Sequence, residues 1–134
     1  MPVSFARMVD GTADDYALLD RQETAYAAGT ADRVLDQLRL LDEGVSGYQI
    51  SRLGHSLQTA TRAHRVGADI DMVVTALLHD IGDVLALHNH GEVAAAILAP
   101  FVRDECVWIA RHHGVFQMAY YAHHLGGDPD ARAR

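Results

Sequence analysis

Lysine is absent from this 134-residue chain, cysteine occurs once and proline three times. Every one of the 11 basic residues is therefore Arg, set against 18 acidic residues, for a formal net charge of −7. An acidic chain without a basic run repels a phosphate backbone, so nucleic acid is not an expected partner. Cys106 stands alone and cannot form an internal disulfide, which makes a reducing, cytoplasmic setting the natural one. No apolar run reaches the roughly 18 residues of a membrane helix, and the start, Met1 to Arg7, has no hydrophobic signal core. There is no repeat, low-complexity tract or Pro/Ser-rich linker. One domain over residues 12–134 is expected, preceded by an arm over residues 1–11. The abundant residue is histidine, with nine copies.

The apolar residues recur at helical spacing, and no segment alternates with period two over the length of a strand. Thr12, with Asp15 three positions on, opens a helix that runs to Ala28 and stops at Gly29. Thr30 caps a second, with Val34, Leu38 and Leu41 on one face until Gly44. Ser51 to Val66 forms a third, ending at Gly67. Asp69 caps a fourth, which is apolar around most of its circumference through Ile81 and stopped by Gly82. Glu92 to Ala99, Asp104 to His112 and Phe116 to Leu125 complete the set. The expected class is all-α, with Cys106, Trp108, Phe116 and Tyr120 packed in its core.

The chemistry is concentrated at His79 and Asp80, set in the most apolar helix. An imidazole and a carboxylate in such surroundings cost several kcal/mol unless partnered. A metal ion satisfies both, and a carboxylate can bridge two ions through its two oxygens. Neighbouring residues on a helix project about 100° apart, so both reach one point only if the helix end aims at it. The alternative is a plain hydrogen-bonded His–Asp pair. Antiparallel helices with short connections bring alternate ends together. On that principle His55, 24 positions before His79, together with His90 and His112, completes a shell of four imidazoles and Asp80. His88 is read as a loop neighbour of His90. Of His112 and His113 only one can face the cluster, and His112 is the expected one. His64, His123 and His124 are expected at the surface or on a pocket wall, and Cys106 as a buried thiol.

The stretches Ser51 to Ala60, Ala76 to Asp83, His88 to Glu92 and Trp108 to His113 resemble the HD-domain superfamily, over roughly residues 12–134. Within it they are most similar to the phosphonate-catabolism-type branch related to myo-inositol oxygenase, whose characterised members are mixed-valent di-iron oxygenases. The resemblance implies an all-α HD-domain helical bundle with the metal site between its central helices. It makes His55, His79, Asp80, His90 and His112 the metal ligands, with Asp80 as the bridge. It implies two iron ions, O2 and a small-molecule substrate, with no membrane partner.

Two departures from that pattern bear on function. The resemblance places a last Asp ligand well downstream of His112, beyond Arg134. A continuing chain with further helix, a metal with an open position and a compromised site are all consistent with this. Where related oxygenases hold a basic or His side chain against substrate, this chain has Asp83 and Phe116. A carboxylate there repels a phosphonate and suits an amine or hydroxyl, which makes Asp83 a candidate catalytic residue beside Asp80. Arg62, Arg65 and Arg111 are candidate sources of positive charge. The expected function is a di-iron oxygenase acting on a small polar organic substrate. The alternatives are an HD phosphohydrolase using Mn, Zn, Co or Mg, and a non-catalytic helical domain with a vestigial site.

Overall fold

The computed structural model describes residues 2–44 and 47–133. It contains six α-helices and, among the described residues, no strand: α1 Ala13–Ala27, α2 Thr30–Arg39, α3 Arg52–Arg65, α4 Ile70–Leu78, α5 His90–Leu98 and α6 Asp104–Tyr121, joined by short 3₁₀ turns. The all-α class is as the sequence predicts. The chain divides into two compact units, one ending at Asp36 and the other starting at Gln37.

In the first unit, α1 starts where Thr12 and Asp15 form a reciprocal capping box. Hydrogen bonds from the Thr12 and Ser4 backbone N–H groups, aided by the hydroxyls of both residues, bring the Asp15 carboxyl down to about 2. No α1 residue is fully buried.

The second unit holds the core and the site. Ser51 and Asp69 cap α3 and α4 by accepting from the backbone N–H groups of Gly54 and Met72. Helix α3 packs on α4, α5 on α6, and α6 also reaches α4. Leu41, Ala94, Ala95, Leu98, Cys106 and Ala110 are buried between them. Small residues here serve close approach. A Cβ on Gly82 would meet the His90 carbonyl oxygen at 2.8 Å, and one on Gly91 the Arg111 carbonyl oxygen at 2.8 Å. Only glycine lets the turn after α4, the start of α5 and the middle of α6 converge this tightly.

The sequence pattern and the structure differ in three places. Residues 104–121 are one helix where two are expected, because Gly114 meets no steric need to break and a single glycine costs only about 1 kcal/mol in a helix. Trp108, Phe116 and Tyr120 are exposed, not core, because the buried stripe of α6 runs through Cys106, Val107 and Ala110. Helix α4 ends at Leu78, so His79 and Asp80 lie in the turn at its C-terminus, where adjacent side chains can converge.

Candidate metal centre

Asp80 is 2% exposed and forms the centre of the cluster. Its Oδ2 lies 3.1 Å from His79 Nε2 and 3.5 Å from His55 Nε2. Its Oδ1 lies 3.1 Å from His113 Nε2 and 3.4 Å from His90 Nε2. One carboxylate is thus shared by two histidine pairs, whose facing Nε2 atoms are 3.2 Å (His55, His79) and 3.0 Å (His90, His113) apart. The secondary structure explains the convergence. His55 lies in the first turn of α3, His79 and Asp80 follow α4, His90 opens α5, and His113 projects from the middle of α6.

The ring orientations are fixed from outside the cluster. His79 Nδ1 faces the Ala76 carbonyl at 2.7 Å, His90 Nδ1 the Leu87 carbonyl at 3.0 Å, and His113 Nδ1 the Ala110 carbonyl at 2.6 Å. A carbonyl only accepts, so these Nδ1 atoms carry the ring protons and each neutral ring turns its Nε2 lone pair inward. With the rings of the His90–His113 pair neutral, two such lone pairs and a carboxylate oxygen meet at one point. A proton shared between His113 and Asp80, or a metal ion in its place, relieves this arrangement. Three donor atoms from His55, His79 and Asp80, and three from Asp80, His90 and His113, each lie within 4.8 Å of one another, close enough to hold an ion.

The electrostatics agree with that geometry. Burial works against charging Asp80, but hydrogen bonds from His113 and His79 and the Arg52 guanidinium outweigh it and hold its carboxyl below the usual range. Burial also works against charging His113, but its hydrogen bond to Asp80 wins and raises its pKa. His55 lacks such a bond, and burial lowers it.

Four of the five expected ligand positions, His55, His79, Asp80 and His90, come together here. The fifth does not. His112 is directed away, stacked on Trp108 with ring centroids 4.6 Å apart and Nδ1 on the Trp108 carbonyl, and His113 takes its place. Asp83 also departs from expectation. It is 7% exposed and is not among the described residues that wall the cavities beside the cluster. The 3₁₀ turn Ile81–Val84 folds it back against Arg52.

Arg52 is the residue that the sequence pattern missed. Its Nη2 donates to Asp80 Oδ2 at 2.6 Å and its Nε to Asp83 Oδ2 at 2.9 Å. It stands one turn before His55 on the same helix face, which is the signal that could have singled it out. Arg62 and Arg65 lie exposed near the end of α3, and Arg111 pairs with Glu92 at 3.2 Å.

Cavities walled by described residues border the cluster. One of about 400 Å³ is walled by His55, His79 and His113 together with Thr59, Thr75, Gln117 and apolar residues including Met72 and Ile109. A second, of about 280 Å³, lies between Tyr48, Arg52, His55, Gln117 and Tyr121. The third, of about 480 Å³, opens beside His90, His113, His88 and Arg111.

Comparison with protein families gives a match to the HD domain over residues 52–134, which spans α3 to the end of the chain and all five clustered residues. The chain belongs to the HD-domain family. No curated protein matches it. HD domains bind divalent metals, and this HD domain has His/Asp groups that could hold them. No helix of the described residues is long and apolar enough to cross a membrane.

Proposed function

We propose that this HD domain is a di-metal oxygenase, with iron at both positions, that oxidises a small, polar, weakly charged organic substrate with O2. The observation that carries this reading is the sharing of Asp80, one oxygen toward His55 and His79 and the other toward His90 and His113. Four imidazoles to one carboxylate favour a transition metal over Mg. When bound, a pair of iron ions supplies a Lewis acid that lowers the pKa of a coordinated hydroxyl and a reducing centre for O2.

The residues of the chain supply the rest. His79, His90 and His113 are held ligand-ready by their carbonyl partners, so little reorganisation accompanies binding. The 400 Å³ cavity receives substrate directly against three of the imidazoles. Its threonine hydroxyls are spent on backbone carbonyls, Thr59 on His55 and Thr75 on Asp71, so the Gln117 amide orients the polar group of the substrate. The apolar wall at Met72 and Ile109 keeps water from the reacting carbon.

The same surroundings argue against a phosphohydrolase. Arg52 and Arg111 are the cations that wall these cavities, and each is already paired with a carboxylate. Among the described residues, a polyphosphate would find no uncommitted arginine on the walls of these cavities. The test is O2 uptake by the anaerobically iron-loaded chain, challenged with a panel of small hydroxylated and amino compounds, with Asp80→Ala as control. Substrate-dependent O2 consumption, absent in the variant, is expected. Phosphate release from a nucleotide panel without O2 uptake would overturn the reading in favour of hydrolysis, and inactivity in both assays would favour a vestigial site.

A further inference from the structure

We propose that the two halves of the cluster bind metal unequally because of Arg52: the His90–His113 half fills first and tightly, and the His55–His79 half fills second and weakly. This rests on the two-metal reading above and adds an order to it.

Each half offers the same donors, two imidazole nitrogens and one oxygen of Asp80. The difference lies in the charges behind them. Asp80 Oδ2, on the His55–His79 side, already accepts from Arg52 Nη2 at 2.6 Å. The Arg52 side chain is only 17% exposed, so its positive charge is weakly screened where it faces an incoming divalent ion. Oδ2 therefore divides its lone pairs between a guanidinium and a metal. Asp80 Oδ1, on the other side, accepts from no arginine.

Asp83 adds to the asymmetry. Its Oδ2 accepts from Arg52, while its Oδ1 is buried without a hydrogen-bond partner, 3.3 Å from His90 Nδ1. The N–H of that ring is given to the Leu87 carbonyl. A buried carboxylate oxygen that accepts no hydrogen bond, set against the back of a ligating imidazole, makes that ring a better donor. Arg52 and Asp83 thus place positive charge beside one half and negative charge beside the other. Arg52 is a positioning residue here, acting on the metals through Asp80.

The experiment is a calorimetric titration of the metal-stripped full chain with Co2+, followed in parallel by cobalt absorption and without substrate. Two steps separated by about 10- to 100-fold in affinity are expected, the range in which outer partners of metal ligands act. His113→Ala should abolish the tight step and His55→Ala the weak one. Arg52→Gln should tighten the weak step by about tenfold or more and leave the tight step in place, and Arg52→Lys should restore the gap. Asp83→Asn should weaken both, through loss of negative charge at His90 and an undivided Arg52 charge on Asp80. A merely structural Arg52 would weaken both steps when replaced, and that result overturns the inference, as does equal affinity of the two steps in the unaltered chain. If Arg52→Gln does not fold, the unaltered chain, His55→Ala and His113→Ala still decide the order. Binding of one ion or none overturns the two-metal reading itself.

Discussion

His113 Nε2 lies 3.1 Å from Asp80 Oδ1, although 33 positions separate them in the chain. The adjacent His112, on the same helix, points to the Trp108 side and is stacked there. Replacing the two histidines should therefore have opposite consequences. His113→Ala is expected to lower metal content by about one ion per chain, and His112→Ala to leave it unchanged, as read by elemental analysis of the purified protein. Retention of both ions in His113→Ala would contradict the assignment.

The choice between His88 and His90 has the same form. His90 Nε2 is 3.0 Å from His113 Nε2, whereas His88 lies in the preceding turn and only walls a cavity. His90→Ala should weaken metal binding by about 10-fold or more, and His88→Ala by less than about 2-fold, measured by competition with a chromophoric chelator.

How much of this was legible beforehand depends on which helix face one trusts. His55, His79, Asp80 and His90 could be picked from sequence because each lies at or near a helix end marked by a cap or a glycine: Ser51, Gly82 or Gly91. His112 and His113 lie mid-helix, where no such mark exists and only the buried stripe decides. Cys106 and Ala110 are fully buried, and three residues on from Ala110 comes His113. Trp108, four residues before His112, looks like core by residue type but is 49% exposed, so the face it shares with His112 is not the buried one. The Arg52 pairing joins residues 28 and 31 positions apart, so its place one turn before His55 marks the helix face while the contact itself is made by tertiary packing.

The glycines at the convergence point predict a second effect. Gly82→Ala puts a methyl group against the His90 backbone at 2.8 to 2.9 Å, and backbone cannot step aside as a flexible side chain can. A loss of about 1 to 3 kcal/mol is expected from overpacking in urea unfolding of the metal-free protein, with metal binding at His90 weakened as well. Gly114→Ala, with nothing within 4 Å of the new Cβ, should be neutral or stabilising.

Acidity should act through His113. Its pKa in the metal-free protein is raised above the ordinary 6.5, first against the effect of burial and then by the Asp80 hydrogen bond. In the metal-free state the increment of stability from that pairing is present below the unfolded pKa and is lost as pH rises through the folded one. Metal requires the neutral ring, so proton and metal compete. The rise in unfolding temperature produced by saturating Zn2+ should therefore grow between about pH 6 and pH 8. A rise that is flat across that range would show that His113 is not a ligand.

The central claim is that Asp80 joins two metal ions held by two histidine pairs. Electron paramagnetic resonance of the anaerobically iron-loaded, partially oxidised protein tests it most directly. The account predicts two irons per chain with the signal of a magnetically coupled mixed-valent pair, lost in Asp80→Ala. A single isolated ferric signal at one iron per chain, unchanged in Asp80→Ala, would contradict it.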